Sequence, residues 1–426
     1  MRVNLLTVGT RGDVQPALAL GVGLKKAGFE VQLVAFEEFR PLVEAYGLGF
    51  IPLSVNVQEL LHQSVGKRVF SGTALFDLIK LFRNMFSTMF TAFWQISQGC
   101  DLLISNAATT FVVDAVSEKL QIPHIETSVF PGWPTRAFPS FFGPWPTSLG
   151  AQSSGLAGQF KGMINWFSYK PVDWAVSLWI RPMIERCRRD ILGLPGRKLE
   201  QPGKKPTPVL AGFSKYILPP PTDWGEHIHV TGYWYLDTPA FEPPPGLQAF
   251  LDAGAPPVYI GFGSMPSQNA EQITDLVIQA LSMAGQRGIL LTGQGILGRG
   301  MVQQSSTHPV CFVESIPHDW LLPRTAAVVH HGGAGTTAAG IRAGVPSILI
   351  PIGADQRLWA YRVETLGVGP GPLPRSQLTA ERLAKAITQS ITNQTIRQRA
   401  KALGEKILSE DGVGEAVRII CQQMGV

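Results

Sequence analysis

The residues best suited to chemistry in this chain stand in two short segments near its C-terminal end. The first reads His-His-Gly-Gly-Ala-Gly-Thr-Thr at 330–337, and the second reads Pro-Ile-Gly-Ala-Asp-Gln at 351–356. Small residues let backbone N–H groups approach a phosphate, and a helix beginning there would add the positive end of its dipole. Asp355 and Gln356 supply a carboxylate and an amide that can hold hydroxyl groups. Phosphate and polyol together indicate a nucleotide sugar.

Each segment alone has a simpler explanation. A glycine-rich stretch after a strand is often only a tight turn, and an Asp-Gln pair is often part of a surface loop. His330 and His331 could form a metal pair, but no Cys, Asp or Glu lies nearby at ligand spacing. One helix and one strand separate the two segments, and this combination favours a ligand site.

The surrounding pattern predicts how the two segments are positioned. A short apolar strand over 326–329 precedes the first segment, and a helix over 336–343 and a strand over 347–351 lead to the second. In a parallel sheet both strands end at the same crevice, where ligands of α/β proteins bind. The sequence therefore predicts one site at the carboxyl ends of two strands.

The rest of the chain shows the same alternation of strands and helices. The first half opens with a strand over 3–8, a helix over 15–27 and a strand over 31–36, and the second restarts with a strand over 258–262. We expect an α/β fold of two facing Rossmann-like domains, each a doubly wound parallel sheet, with a cleft between them. Proline runs mark the boundary between the halves. The predicted divisions are an N-terminal domain over 1–218, a linker over 219–245, a C-terminal domain over 246–410 and a helix over 411–426.

Composition narrows the class of protein. With 45% hydrophobic and 16% charged residues, the chain is globular, and its net charge of +5 comes from scattered basic residues rather than a nucleic-acid tail. The four cysteines are widely separated, which suggests neither a disulfide framework nor a zinc site. The first apolar run is too short for a signal peptide, and none is long enough for a transmembrane helix. We expect a cytoplasmic protein, a monomer or weak dimer, with peripheral membrane contact as an option.

Two apolar segments stand outside this alternation. Residues 74–97 carry aromatic, leucine and methionine residues at helical spacing, which predicts an amphipathic helix. That helix could belong to the core, line a pocket for a bulky apolar ligand or rest on a membrane. Residues 130–146 are rich in aromatic residues and proline, and they could either wall an acceptor pocket or cover the core.

Motifs along nearly the whole chain resemble a known family. The chain is similar to the inverting, nucleotide-sugar-dependent glycosyltransferases of family 1 with the GT-B fold, and most similar to their branch of sterol 3-beta-glucosyltransferases and bacterial antibiotic and lipid glucosyltransferases. The Trp-Pro-Thr-Arg stretch at 133–136 also resembles the sterol branch. The motifs that carry the resemblance are Gly-Thr-Arg-Gly-Asp-Val-Gln-Pro at 9–16, Thr-Gly-Tyr-Trp at 231–234, Gly-Phe-Gly-Ser-Met at 261–265, Pro-His-Asp-Trp-Leu at 317–321 and the histidine-glycine segment at 330–336.

The resemblance implies a general base at Asp13. In such enzymes the N-terminal domain holds the acceptor, and a carboxylate at the mouth of the cleft takes the proton of the attacking hydroxyl. An α-linked donor then yields a β-glycoside. Without the other motifs, Asp13 would be interpreted as a helix cap or turn residue. Ser105 or Asn106 stands where plant relatives place an acid behind a histidine base, so an unassisted aspartate fits the sterol and antibiotic branch.

The resemblance also implies a donor site for UDP-glucose, with a dTDP-sugar as an alternative. Donors of hydrogen bonds to the diphosphate would replace a metal ion, so we expect neither a metal nor a cofactor. Gln356 resembles glucose-using rather than galactose-using relatives. The predicted donor-site residues are Arg11, Gly12, Ser264, Ile316, His318, His331, Gly333, Ala334, Gly335, Thr336, Asp355 and Gln356.

The sequence predicts transfer of glucose to a hydroxyl of a hydrophobic acceptor such as a sterol, triterpenoid, polyketide or lipid. A nucleotide-sugar epimerase or hydrolase, or a non-catalytic nucleotide-sugar-binding protein of the same fold, is the alternative. No second acid/base cluster stands opposite Asp13, which disfavours an epimerase. The predicted acceptor contacts are Phe82, Phe86, Phe90, Asn106, Trp133 and Phe138.

Overall fold

The protein is described from a computed structural model. The structure describes residues 1–53, 86–140, 156–196, 206–236, 241–262, 270–292, 309–353 and 355–426. The predictions for Phe82 and Ser264, and for a helix over 74–85, lie outside the described residues.

The N-terminal sheet is parallel throughout. Its strands run in the order β3-β2-β1-β4-β5-β6-β7, so the order reverses between β1 and β4. Leu6 of β1 pairs with Ser105 of β4 at that point. Ligands of such sheets bind where the strand order reverses, at the carboxyl ends of the strands. The strands are β1 (Arg2–Leu6), β2 (Glu30–Ala35), β3 (Gly49–Pro52), β4 (Leu102–Asn106), β5 (His124–Ser128), β6 (Val209–Ala211) and β7 (Ile228–Val230).

Helices cover both faces of this sheet. Their apolar sides form two cores, one under α1 and α2 and one under α3, α4 and α7. A π-helical stretch, Val176–Ile180, joins α6 to α7. The helices are α1 (Arg11–Lys26), α2 (Arg40–Ala45), α3 (described over 86–96), α4 (Thr110–Leu120), α5 (Leu156–Phe167), α6 (Lys170–Ala175) and α7 (Arg181–Asp190).

The C-terminal sheet repeats the pattern with the order β10-β9-β8-β11-β12. Its order reverses between β8 and β11, where Gly261 pairs with His330. The strands are β8 (Val258–Gly261), β9 (Gly288–Leu291), β10 (Val310–Val313), β11 (Ala327–His330) and β12 (Ser347–Leu349). The helices are α8 (Pro245–Asp252), α9 (Ala270–Met283), α10 (His318–Leu321), α11 (Ala334–Arg342), α12 (Gln356–Leu366), α13 (Ala380–Thr392), α14 (Gln394–Leu408) and α15 (Gly412–Met424).

The first helix begins earlier than the sequence pattern predicts. The sequence pattern predicts a start at Gln15. Instead, α1 starts at Arg11, because Thr10 and Asp13 form a capping box. In such a box the two side chains satisfy N–H groups that the first turn leaves without helical partners.

The predicted linker also contains sheet structure. β7 lies within 219–245 and pairs in parallel with β6, so that part of the chain belongs to the N-terminal sheet. The two halves share a core there, in which Phe213 packs near Trp359. A three-residue strand gives too short a pattern to be recognised in sequence, and its pairing with β6 decides its structure.

The C-terminal helix α15 packs on α1 of the N-terminal half. Ala416, Ile419 and Ile420 are buried in the same core as the α1 leucines. A Cβ on Gly412 would lie 2.5 Å from the carbonyl oxygen of Tyr233, so the backbones meet closely where α15 begins. The last residues of the chain therefore tie the two halves together.

The described part of the apolar segment 74–97 is a core helix. Met89, Phe90 and Phe93 on α3 are buried against β1, β2 and β4. Across the ranges that the structure describes, no helix is both long and apolar enough to cross a membrane.

Candidate active site

A pocket opens at the reversal point of the N-terminal sheet. Its volume is about 230 Å³. Asp13 and Asn106 contribute polar groups, and Phe130 and Trp234 contribute aromatic walls. The remaining lining residues are Pro16, Ala17, Ala107, Ala108, Thr127, Ser128 and Val129. One carboxylate in a largely apolar pocket is an arrangement suited to taking a proton from the hydroxyl of an apolar ligand.

Asp13 is held in place by the capping box of α1. Its Oδ2 accepts hydrogen bonds from the backbone N–H of Thr10 at 2.8 Å and from the Thr10 hydroxyl at 3.3 Å. Burial raises the pKa of Asp13, and the hydrogen bonds from Thr10 oppose that rise. Asp13 is therefore both a structural residue of the helix and a basic carboxylate at the pocket.

The residues behind Asp13 are uncharged. Asn106 lines the pocket, donates a hydrogen bond to the carbonyl of Val8 and accepts one from Thr109. Ser105 is buried, with its Oγ 2.8 Å from Nε2 of His124. Neither residue supplies an acid that could assist Asp13.

The predicted diphosphate segment forms a tight turn into a helix. Gly332 has a positive φ of 92°, a conformation that favours glycine, and Gly333 caps α11. The Thr337 hydroxyl donates to the Gly333 carbonyl at 2.9 Å. A Cβ on Gly335 would meet no atom of the described residues within 4 Å, so within the described structure this first turn faces open space. Ala334, Gly335 and Thr336 thus bring the positive end of α11 to the carboxyl end of β11.

Three histidines lie beneath this turn in neutral form. Burial lowers the pKa of His331, and a Cβ on Gly333 would lie 2.5 Å from the His331 Nε2. His330 is fully buried, and its Nδ1 accepts the N–H of Gly332 at 3.1 Å. Burial lowers the pKa of His318 to about 4. His318 lies with its Nε2 2.9 Å from the Tyr259 hydroxyl.

Asp355 and Gln356 have different tasks in the second segment. Oδ2 of Asp355 accepts a hydrogen bond from the indole N–H of Trp359 at 2.8 Å. The side-chain oxygen Oε1 of Gln356 accepts hydrogen bonds from the backbone N–H groups of Ile352 and Gly353 at 2.8 and 3.2 Å. Gln356 therefore shapes its own loop, which the sequence prediction of a hydroxyl-binding pair did not anticipate.

The two halves bring ionisable residues together across the cleft. Burial raises the pKa of Asp355, and the negative charge of Asp13 adds to that rise. Burial is the main cause of the lowered pKa of His318, and the positive charge of Arg11 lowers it further. Arg11 and Gly12 are exposed at the start of α1. Residues from the N-terminal and C-terminal motifs thus act on each other electrostatically.

The predicted acceptor contacts are only partly brought together. Asn106 lines the pocket, whereas Phe90 is a core residue and Phe86 packs partly buried on the same core. Trp133 and Phe138 pack around Trp224 in the core shared by the two halves. Helical spacing could not separate core from pocket here, because the choice depends on which face meets the sheet. Ile316, predicted for the donor site, is also buried.

Nine of the eleven residues that line the pocket were not among the predicted site residues, and three of the nine lie in segments that the sequence had singled out. Trp234 belongs to the motif at 231–234, Pro16 to the motif at 9–16, and Phe130 to the aromatic loop. The motifs were the signal that could have found them. No group of three or more potential metal ligands occurs among the residues that the structure describes.

Comparison with known proteins adds independent findings. Residues 3–139 match the N-terminal domain of glycosyltransferase family 28, and residues 302–423 match the C-terminal domain of erythromycin biosynthesis protein CIII-like proteins. The chain is 34% identical to the sterol 3-beta-glucosyltransferase of Cryptococcus neoformans over 445 residues, which cover 100% of this chain and 27% of the relative. It is 34% identical to that of Arabidopsis thaliana over 434 residues, which cover 98% and 65%. The chain therefore spans less than two thirds of the length of these relatives.

Solved structures show the same fold at low identity. The calicheamicin glycosyltransferase superposes with a TM-score of 0.69 and 19% identity, covering 100% of this chain and 98% of that one. The glycosyltransferase VinC, solved in complex with DTDP, superposes with a TM-score of 0.65 and 17% identity, covering 100% of both chains.

Proposed function

We propose that the chain is a family-1 glycosyltransferase of the GT-B fold that transfers glucose from UDP-glucose to the hydroxyl of a sterol. The observation that carries this proposal is the position of Asp13. It lines an apolar pocket of the N-terminal half, and its charge acts on Asp355 of the C-terminal half. A base and a group that can hold a sugar thus face the same cleft. We choose a sterol as the acceptor because the relatives at 34% identity are named sterol 3-beta-glucosyltransferases.

Asp13 acts as the general base in this proposal. Its carboxylate takes the proton of the acceptor hydroxyl while the hydroxyl oxygen forms a bond to the anomeric carbon. The bond between that carbon and the diphosphate oxygen breaks, and its electron pair leaves with UDP. Attack opposite the leaving group inverts the configuration and yields a β-glucoside. The half-buried position of Asp13 supports this role, because the partial loss of solvent raises its pKa and makes the carboxylate a better proton acceptor.

The turn before α11 stabilises the departing diphosphate in this scheme. Backbone N–H groups of the first turn, the positive helix end and the Thr336 hydroxyl all favour negative charge. His331 completes the site as a neutral hydrogen-bond donor, because burial lowers its pKa. These groups would supply the charge stabilisation for which other transferases use a metal ion, so we propose a metal-independent reaction.

Asp355 is the main sugar contact in this scheme. The bond from Trp359 occupies Oδ2 and fixes the carboxylate in one orientation. The side-chain oxygen of Gln356 already accepts a hydrogen bond from the backbone of its own loop, so Gln356 contributes chiefly to the shape of that loop. A dTDP-sugar is the alternative donor, and competition between UDP-glucose and dTDP-glucose in the same assay distinguishes the two.

A product assay with two substitutions tests the proposal. The purified protein is incubated with UDP-glucose and a sterol in the presence of EDTA, and the products are identified by mass spectrometry. We expect a sterol hexoside and release of UDP. Asp13→Asn keeps an acceptor oxygen for the Thr10 N–H but removes the base, so turnover should fall by about 100-fold or more while UDP binding persists.

Other outcomes would identify a different function. UDP release without a glycoside would indicate a hydrolase, and a changed sugar on UDP would indicate an epimerase. UDP binding with no reaction, and no effect of Asp13→Asn in any assay, would indicate a binding protein. Failure to bind UDP at all would contradict the donor site at His331 and Asp355.

A further inference from the structure

Most of the exposed large hydrophobic residues of the described chain lie on the helical run from α5 to α7. Fourteen large hydrophobic residues are exposed in the described ranges, and eight of them fall between 160 and 179. Trp174 is 67% exposed and Phe160 is 62% exposed. Monomeric soluble proteins rarely leave such a concentration of apolar side chains in water without a use for it. The residues that define this surface, here called the apolar ridge, are Phe160, Met163, Ile164, Phe167, Trp174 and Leu178.

The ridge has the spacing of one helix face. Its first four residues stand at positions i, i+3, i+4 and i+7 of α5, and Trp174 and Leu178 stand four residues apart farther on. The opposite face of α5 packs on the protein through Gly162 and Asn165, which are buried. The helix therefore turns a polar side inward and an apolar side outward, the reverse of an ordinary surface helix.

The run beyond α5 is exposed as well. From Lys170 to Ile180 the chain is helical, and none of its side chains is buried. Folding buries only parts of a few apolar side chains there, such as Ile180, so core packing does not explain the exposed tryptophans. A second apolar environment, outside the folded chain, would explain why tryptophans stand at these exposed positions.

Charge and aromatic content indicate what that environment is. Residues 156–181 contain three basic side chains, Lys161, Lys170 and Arg181, and one acidic side chain, Asp173, a net charge of +2. The ammonium of Lys170 lies 4.2 Å above the ring of Trp166 and 3.6 Å from Asp173. Tryptophan beside basic residues on an amphipathic helix is the composition that binds the headgroup region of anionic bilayers. A protein partner would not require this pattern.

Hydrogen bonds join the inner side of α5 and the residues just after it to the loop over 136–140. The Asn165 amide donates to the carbonyl of Arg136 at 2.9 Å, and the Tyr169 hydroxyl donates to that of Phe138 at 3.3 Å. The backbone N–H of Ser140 donates to the Ser168 hydroxyl at 2.8 Å. The loop that receives α5 is the continuation of Phe130, which lines the pocket. A surface bound to the ridge would thus lie beside the acceptor side of the cleft.

We propose that the apolar ridge docks the protein on the surface of an anionic lipid bilayer, with its aromatic side chains among the headgroups. The choice of a bilayer over another occupant rests in part on the proposed function, because a sterol acceptor dissolves in bilayers rather than in water. Docking then presents the pocket to the phase that contains the acceptor.

Vesicle flotation tests the ridge directly. The purified full chain is mixed with vesicles of phosphatidylcholine alone or of phosphatidylcholine with phosphatidylserine. We expect binding that is stronger with phosphatidylserine and weaker at high salt. Trp174→Ser/Leu178→Ser should reduce the partition coefficient by about tenfold or more, because two exposed apolar side chains leave the interface. Phe160→Ser/Phe167→Ser should do the same from α5.

Matched controls come from the other half of the chain. Met283 and Leu408 are 52% and 60% exposed, so Met283→Ser/Leu408→Ser removes similar apolar surface away from the ridge. This variant should bind vesicles like the original protein, and thermal melting should show that all three variants are folded. Equal vesicle binding by the original protein and both ridge variants would overturn the proposal, and so would a lack of vesicle binding by the original protein.

Two further readouts separate the possible explanations. If the original protein is dimeric by light scattering, does not bind vesicles, and becomes monomeric in the ridge variants, a second copy covers the ridge and the proposal is wrong. Vesicle binding is measured without UDP-glucose, so it does not depend on catalysis. A protein that binds vesicles through the ridge but forms no sterol hexoside would uphold this proposal and contradict the proposed acceptor.

Discussion

The indole N–H of Trp359 donates a 2.8 Å hydrogen bond to Oδ2 of Asp355, one helical turn earlier. The same indole is fully buried and packs edge-on to Phe213 of the N-terminal half, with ring centroids 6.0 Å apart. Phe213 in turn lies near Trp224, at 6.5 Å. The carboxylate proposed to hold the sugar is therefore fixed by a side chain that belongs to the core shared by both halves. Changes in the packing between the halves should reach the sugar contact through Trp359.

Trp359→Phe tests this relationship by removing the N–H while keeping most of the packing. A lost hydrogen bond to a charged group corresponds to about 1.5–3 kcal/mol, so the KM for UDP-glucose should rise about tenfold or more. The affinity for UDP, which lacks the sugar, should stay the same. Trp224→Phe is the matched control, because the buried indole nitrogen of Trp224 has no hydrogen-bond partner among the residues that the structure describes. An equal rise in KM for both variants would mean that packing, not the bond to Asp355, is responsible.

The pH dependence of the reaction should report Asp13. The base works only when ionised, so kcat/KM persists above its pKa and is lost as the pH falls through it. Burial raises the pKa of Asp13, so the loss should begin at a higher pH than an exposed aspartate would give. Burial and the negative charge of Asp13 also raise the pKa of Asp355. The loss of activity at acidic pH therefore reports the two carboxyl groups together. A pH profile measured with and without saturating donor checks this, and a limb that begins no higher than for an exposed aspartate would contradict it.

The capping role of Asp13 predicts different stabilities for two substitutions. Asp13→Ala removes the acceptor of the Thr10 N–H and should lower the free energy of unfolding by about 1 kcal/mol. Asp13→Asn retains an acceptor oxygen and should cost less. Urea unfolding of both variants measures the difference. Equal stabilities would show that the capping bond contributes little, and the loss of turnover in Asp13→Asn could then be assigned to the base without any correction for folding.

The sequence anticipated the fold better than it anticipated the task of each side chain. β8, β11 and β12 are short apolar runs next to glycine or histidine motifs, and local pattern was enough to place them. Strand β7 and the start of α1 were missed because sheet pairing in one case and a capping box in the other decided the outcome. Phe90 shows the same limit, since spacing identifies a helix but not which face meets the sheet. The partners of Gln356 depend on a loop conformation that no motif encodes.

Gly335→Ala tests whether the open space at α11 holds the diphosphate. A Cβ there meets no atom of the described part of the chain within 4 Å, so the fold should tolerate alanine and gain up to about 1 kcal/mol of helix propensity. The methyl group would nevertheless intrude where we propose that phosphate oxygens approach the backbone. We expect calorimetry to show a UDP affinity at least about tenfold weaker. Gly246→Ala, in α8, is the control, because a Cβ there also meets no atom within 4 Å. Unchanged UDP binding by Gly335→Ala would move the diphosphate away from this turn.

Gly412→Ala tests the attachment of α15 to the rest of the chain. A Cβ at this position would lie 2.5 Å from the carbonyl oxygen of Tyr233 and 2.6 Å from the carbonyl carbon of Gly232. These are backbone atoms that cannot rotate away, and Gly232 itself has a positive φ of 104°. The helix must therefore shift, and we expect a loss of roughly 1–3 kcal/mol in unfolding free energy, as for other overpacked contacts.

The functional consequence of that shift separates two roles of α15. If the helix only completes the core on α1, Gly412→Ala should lower the melting temperature and leave kcat and KM unchanged at a temperature where the variant is folded. Because α15 follows the C-terminal half and packs on the N-terminal half, we expect instead that the KM for both substrates rises together, as the two walls of the cleft lose their relative position. Steady-state kinetics at low temperature decide between these results. Unchanged kinetics and unchanged stability would show that the close approach at Tyr233 has no role in either.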